Sequence, residues 1–253
     1  NRNKRYRYGE FLVEGVRNIN QAIRNGWQFT SLLYSPETPL SRWAQEVLDT
    51  VSCDTHYQLS ANLMQELSGK TDTSELLAIL RMRPDDPALL HDSPCPLYIL
   101  FDRPSNHGNL GSIIRSADAL GADGLILTGH GVDLYQPEVI TASMGSFFNL
   151  PAIRMADNDT VFDWIARQRD LHPGFQVIGT TAHKQLNITQ VDFRLPTLLM
   201  IGNETEGLCR AFKEGCDLLA TIPMADTSSA SSFNVACAAT VMMYEVCRQR
   251  AQE

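Results

Sequence analysis

The sequence predicts an α/β protein, with a small N-terminal α/β unit ahead of a larger domain built on a mostly parallel sheet. Three observations carry this expectation. From residue 97 to the end, short apolar runs alternate with helix-period segments, the pattern of buried parallel strands covered on both faces by helices. A similar alternation fills residues 1–82 on a smaller scale. Between them lies "RPDDPALLHDSPCP" (83–96), with four prolines, three aspartates and no periodicity, which reads as a linker. The expected division is therefore 1–82, a linker over 83–96, and 97–253.

In order, "FLVE" (11–14) predicts a strand and "GVRNINQAIRNG" (15–26) a helix with Val16, Ile19 and Ile23 on one stripe and Gly26 as its stop. "SLLYS" (31–35) is a second strand, "LSRWAQEVLDTV" (40–51) a second helix, and "LLAILRM" (76–82) a further strand. In the larger domain the strands are "LYILFD" (97–102), "GLILTG" (124–129), "FQVIGTTA" (175–182), "TLLMIGN" (197–203) and "LLATIPM" (218–224). Helical patterns fill 111–121, around 136–146, 160–170, 205–214 and 231–250. From Val235 to Cys247 the only charge is Glu245. A helix apolar nearly all round is buried on more than one side, and a second subunit would supply the second side.

A chain of 253 residues can bury one large core or two modest ones. No apolar run approaches the roughly 20 residues that span a bilayer, and "NRNKRYRYGE" has no apolar core of a signal peptide. The six cysteines are irregularly spaced without a CxxC pair, which predicts free thiols in a reducing compartment, a cytoplasmic protein, and no metal. The net charge of -8 argues against a nucleic-acid partner, but its distribution does not. Residues 1–30 hold Arg2, Lys4, Arg5, Arg7, Arg17 and Arg24 against Glu10 and Glu14, a balance of +4 that leaves -12 for the rest. A basic front on an acidic body can bind phosphate locally.

In open parallel sheets ligands sit beyond the carboxyl ends of the strands, and the polar clusters fall there. The first, "NHGNLGSIIR" (106–115), has neither GxGxxG nor the Walker spacing. Ile113, Ile114, Ala117 and Leu120 form one helix face with Arg115 almost opposite, so from this helix alone Arg115 reads first as a solvated side chain and only second as a chemical one. The second, "LLMIGNETEGL", places Glu204 and Glu206 at a strand end, where acids also serve a helix N-terminus. The third, "IPMADTSSASSFNVACAATVMMYE", is a run of small polar residues that suits a ligand or a tether.

Together these three loops resemble the signature motifs of the SpoU-type (TrmH-like) RNA 2′-O-ribose methyltransferases of the SPOUT superfamily, in order, spacing and strand–loop–helix context across about residues 97–250. "RYRYGEFLVEGVRNINQAIRNG" is similar to the L30e-like substrate-binding domain that precedes the catalytic domain in part of that family. The resemblance implies a trefoil-knotted parallel sheet, S-adenosylmethionine as cofactor, a homodimer, and ribosomal or transfer RNA as substrate. Carried over by position, it places Asn109, Arg115, Glu204, Ser232 and Asn234 in the active site. Thr180, Gly202, Asn203, Gly207, Ile222, Met224 and Phe233 would line the cofactor pocket, and Arg2, Lys4, Arg5, Arg7 and Arg17 would hold RNA. Arg115 would act as an electrostatic clamp on the nascent alkoxide, because an arginine is a poor base. One departure stands out. Asp226 takes a usual glycine position, and Asn234 lies twelve residues after Ile222 rather than ten. That longer loop leaves a second expectation open, a weakened or non-catalytic RNA-binding or assembly protein on the same fold. A Rossmann-type nucleotide enzyme is disfavoured by the missing fingerprint.

Overall fold

The structure, a computed structural model, describes residues 1–68, 72–183 and 185–251. In chain order its elements begin α1 (Arg2–Tyr8), β1 (Glu10–Glu14), α2 (Val16–Arg24), β2 (Phe29–Tyr34), α3 (Arg42–Thr50), β3 (Thr55–Gln58), α4 (Ala61–Leu67) and β4 (Leu76–Arg81). They continue with β5 (Leu97–Asp102), α5 (His107–Ala119), β6 (Gly124–Thr128), α6 (Pro137–Ser143), β7 (Ala152–Met155), α7 (Asn158–Leu171) and β8 (Gln176–Thr180). The last are β9 (Leu186–Asn187), β10 (Thr197–Ile201), α8 (Arg210–Gly215), β11 (Leu218–Thr221) and α9 (Val235–Arg250).

The chain forms two compact units, one of residues 1–83 with 133–149 and one of 84–132 with 150–253. In the first, four strands run in the order β1-β4-β2-β3, with β4 antiparallel to both neighbours and β3 parallel to β2. Ser41 and Ser60 cap α3 and α4, accepting from the amides of Ala44 (3.2 Å) and Leu63 (3.3 Å). Helix α2 buries Ile19 and Ala22 and leaves Val16 and Ile23 exposed, so the expected stripe is shifted: a nine-residue helix presents only its middle turn to the sheet. The core of this unit is closed by the returning segment. Phe11 and Trp27 pack with Tyr135, Phe147 and Phe148 at ring separations of 4.8–5.8 Å, and the Trp27 indole donates to the Phe148 carbonyl at 2.9 Å. The Arg83 guanidinium lies 4.1 Å over the Trp27 ring. Residues 133–149, expected within the 97–253 domain, pack with the first unit.

The second unit holds seven strands, all parallel, in the order β7-β6-β5-β10-β8-β11-β9. Strands β5, β6 and β10 are buried along their whole length, as strands covered on both faces must be. Tyr98, Leu100, Ile126, Leu198 and Met200 form one core with Trp164 and Ile165 of α7 and Phe212 of α8. Residues 84–96, read as a linker, are tied into this unit. Leu90 joins that core, and the His91 carbonyl accepts from the Tyr98 hydroxyl at 2.8 Å. Helix α5 begins four residues earlier than its periodicity predicts because Asn106 caps it, accepting from the Asn109 amide at 2.9 Å. Helix α9 packs on α5, where the hydroxyls of Ser116 and Thr240 bond at 2.7 Å.

Candidate active site

Parallel strands point their carboxyl ends to one edge, and register fixes what meets there. Ile201 pairs with Phe101, Met200 with Gly179 and Ala220 with Thr180. The residues that follow these strands, 103–109, 181–182, 202–207 and 222–234, therefore share one edge of the second unit.

Glu204 is the junction of the first two loops. One carboxylate oxygen accepts from the Ser105 amide (3.0 Å) and hydroxyl (2.7 Å). The other accepts from the Asn106 amide at 3.1 Å and the Asn109 side-chain amide at 3.4 Å. Burial pushes this carboxyl up, but the Ser105 and Asn109 hydrogen bonds outweigh it and hold it below the usual glutamate range. The third loop joins through Asn109, whose side-chain oxygen accepts from the Asn234 amide group at 3.1 Å. Asn234 in turn caps α9, accepting from the amides of Ala236 (2.9 Å) and Cys237 (3.2 Å). Glu204, Asn109 and Asn234 form one hydrogen-bonded chain across three loops far apart in sequence.

The turn that carries Glu204 is tight. Asn203 and Gly207 exchange backbone hydrogen bonds of 3.1 and 3.0 Å. The Asn203 side chain accepts from the amides of Thr205 (2.9 Å) and Glu206 (3.0 Å). Gly202 admits no side chain, because a Cβ there would lie 2.2 Å from the Leu208 nitrogen and 2.3 Å from the Gly207 carbonyl carbon. Thr180 turns its hydroxyl onto the Met200 carbonyl at 2.9 Å. Ile222 and Met224 are partly exposed, and Phe233 is 45% exposed. An apolar, partly open set with no cation among its members fits a sulfonium nucleoside, whose positive charge an aromatic ring favours. Asp226 and Ser232 are exposed. In the longer third loop residues 225–230 are exposed, and the Ser228 amide donates to the Ala225 carbonyl at 2.9 Å. The added length does not prevent Asn234 from reaching Asn109.

Arg115 is exposed on α5 and has no hydrogen bond or ion pair among the described residues. It lies six residues along the helix from Asn109, a rise of about 9 Å, and does not join the Glu204–Asn109–Asn234 chain. In the first unit, Lys4, Arg7 and Arg17 are exposed, and the Arg2 guanidinium stands 5.8 Å from the Tyr6 ring centroid. Arg5, expected to hold RNA, is instead neutralised within its own unit. It donates to Asp133 at 2.9 and 2.6 Å and its side chain is only 11% exposed. Asp133 lies 128 positions away, so nothing local signals the pair. Ser105 and Asn106, which donate to Glu204, are not among the residues expected from the sequence. Asn106 was legible in principle, as an Asn at a helix start.

The described residues contain no cluster of three or more His, Cys, Asp or Glu side chains able to hold a metal, and no helix long and apolar enough to cross a membrane.

A fully parallel sheet whose edge loops are knitted together by Glu204, Asn109 and Asn234 defines a class, and sequence comparison agrees with it. Residues 96–244 match the SpoU rRNA Methylase family and residues 1–78 the SpoU L30e-like domain; the chain belongs to the SpoU family. Among its relatives is the 23S rRNA (uridine(2479)-2′-O)-methyltransferase of Streptomyces viridochromogenes, 46% identical over 99% of this chain and 86% of that protein. The 23S rRNA (guanosine-2′-O-)-methyltransferase RlmB of Coxiella burnetii is 31% identical, over 80% of this chain and 74% of its own. Among solved structures, the SpoU methyltransferase AviRb from Streptomyces viridochromogenes in complex with AdoMet superposes with a TM-score of 0.94 at 46% identity, covering 99% of this chain and 94% of that one. An AdoMet-bound rRNA methyltransferase from Sinorhizobium meliloti gives 0.84 at 28% identity, covering 98% and 90%.

Proposed function

We infer that this chain transfers a methyl group from S-adenosylmethionine to a ribose 2′-hydroxyl of ribosomal RNA, acting on the large-subunit 23S rRNA. The observation that carries this reading is the hydrogen-bonded chain from Glu204 through Asn109 to Asn234, which draws three separate loops to one edge. Its persistence despite the longer third loop favours a working enzyme over a non-catalytic RNA-binding protein. The rRNA methyltransferase relatives support the target class.

The bound cofactor supplies an electrophilic methyl on a positively charged sulfur that leaves neutral. The demanding partner is the hydroxyl, whose oxygen gains negative charge as its proton passes to the adjacent phosphate or to water, so the site must align it and stabilise that charge. Arg115, an exposed guanidinium on α5, holds the alkoxide or the adjacent phosphate. Glu204 is an organiser rather than a base, since both its oxygens are already engaged by the first loop. Gly202, Asn203, Gly207 and Thr180 shape the cofactor pocket, with Ile222, Met224 and Phe233 as its apolar lining and Ser232 at its rim. The 2′-hydroxyl restricts the substrate to RNA, and Lys4, Arg7 and Arg17 with Arg2 grip its phosphates from the first unit.

The reading includes a homodimer and the family's trefoil knot. Cys237, Val241 and Tyr244 form an exposed stripe on α9, with Val241 at 40% and Tyr244 at 59%, which a second copy would cover. The placement of β10, late in the chain, between β5 and β8 and the return of α9 onto α5 are consistent with a threaded C-terminus. Six free thiols suit a cytoplasmic enzyme.

The test is incubation of the protein with 23S rRNA and S-adenosylmethionine, followed by mapping of alkali-resistant linkages. One new 2′-O-methyl site is expected, and none with Arg115→Ala, whose cofactor Kd should stay within about twofold. Absence of any such linkage with the unaltered protein would overturn the reading.

A further inference from the structure

Among the described residues only two that are not glycine have positive φ, and one of them, Arg103 (φ 51°), follows β5 at the mouth of the site. That region favours glycine, and an L-residue held there signals a constraint imposed by its surroundings. The constraint is visible on every side of Arg103. Its amide donates to the Thr128 carbonyl at 3.1 Å, and its carbonyl accepts from the Asn203 side chain at 2.7 Å. The guanidinium donates from Nε to Asp102 at 3.2 Å, from Nη2 to the Gly207 carbonyl at 2.9 Å, and from Nη1 to Glu206. Asp102 is itself buried and fixed, accepting from the Thr128 hydroxyl at 3.0 Å and the Cys209 amide at 2.8 Å. The neighbouring loop makes room for the arginine stem, because a Cβ on Gly129 would stand 2.5 Å from the Arg103 Cγ.

We propose that Arg103 is a positioning residue for methyl transfer, latching the Asn203–Gly207 turn against the end of β5 so that Glu204 and the cofactor-lining backbone are in place before ligands arrive. The contact is reciprocal. Arg103 reaches from the first loop to residues 206 and 207 of the second, and Glu204 reaches back from the second to residues 105 and 106 of the first. The bidentate fork of a guanidinium, anchored on a buried carboxylate, fixes direction as well as distance; a glycine at this position would satisfy the backbone and leave the turn free. The inference rests on the methyltransferase reading for what the turn positions, but the latch itself can be measured without any ligand.

The experiment compares the full-length protein with Arg103→Gly, which relieves the left-handed strain while deleting the latch. Amide exchange at residues 203–207 should quicken in the variant while exchange in β10 and the thermal midpoint hold. If a tenth of the molecules keep the turn in its competent form, the S-adenosylmethionine Kd rises about tenfold. Unchanged exchange at 203–207 would overturn the latch. Quicker exchange with an unchanged Kd would overturn the positioning role, and a collapse of the thermal midpoint with global exchange would reduce Arg103 to a structural residue. Should the unaltered protein bind no S-adenosylmethionine, the cofactor reading fails, and the exchange measurement still decides the latch.

Discussion

Replacing Gly202 by alanine demands a volume the site does not have. The new Cβ would sit 2.2 Å from the Leu208 nitrogen, 2.3 Å from the Gly207 carbonyl carbon and 2.7 Å from the Gly207 Cα, where relaxed contacts between heavy atoms lie near 3.5–4.0 Å. All three are backbone atoms, so no side chain can swing aside and the turn must move by about 1 Å or more. That movement separates the two backbone hydrogen bonds between Asn203 and Gly207. Overpacking of this kind costs about 1–3 kcal/mol, and two hydrogen bonds add about 1 kcal/mol each, for a total of roughly 3–5 kcal/mol. For a chain of this size that corresponds to a fall in the melting midpoint on the order of 10 °C. Calorimetric melting together with S-adenosylmethionine titration is the assay, and both signals should drop together. A Gly202→Ala protein that melts within about 2 °C of the parent and binds cofactor equally well would refute the claim that the close approach at Gly202 holds the turn.

Asn234→Ala removes a helix cap and the link to Asn109, so it should cost about 1 kcal/mol of stability and lower methyl transfer by far more than that figure implies, read as kcat against Tm. Glu204 gives a pH signature. Its carboxyl is held below the usual range, so its ordering contribution is complete above the ordinary glutamate value of about 4.3 and is lost only as pH falls through the lower folded value. Cofactor affinity should therefore stay flat from about pH 7 to 5 as far as Glu204 is concerned, and a Glu204-dependent fall beginning near pH 6 would contradict this. In RNA binding, Lys4→Ala with Arg7→Ala should flatten the slope of log K against log salt by about 1.4–1.8, whereas Arg5→Ala should leave the slope unchanged and lower the melting midpoint instead.

The buried strands of the second unit were legible because a strand covered on both faces has no polar register to break its apolar run, as in "LYILFD" and "TLLMI". Strand β3, "THYQ", is exposed along its length and carries no such signal, while β9 has two residues and β7 four. The ends of helices failed where polar residues do double duty. Asn106 and the glycines after it read as loop, yet Asn106 caps α5. Among the candidate residues the sequence offers, Asn109, Glu204 and Asn234 are brought together, since each lies where a strand end meets a helix start. Arg103 was missed because its importance depends on a backbone angle and on partners about a hundred positions away. The packing of segment 133–149 with the first unit is hidden for a similar reason: aromatic residues 135, 147 and 148 show no local sign of packing on Phe11 and Trp27.

That excursion of residues 133–149 into the first unit bears on how the chain is made. As the polypeptide leaves the ribosome, the N-terminal unit cannot seal its aromatic interior until residue 149 has emerged, by which time β5 and β6 of the second unit are already outside. The two units must therefore mature side by side rather than in sequence. A fragment cut at residue 83 would strip Tyr135, Phe147 and Phe148 from Phe11 and Trp27, so grafting this unit onto another scaffold requires that both pieces travel together.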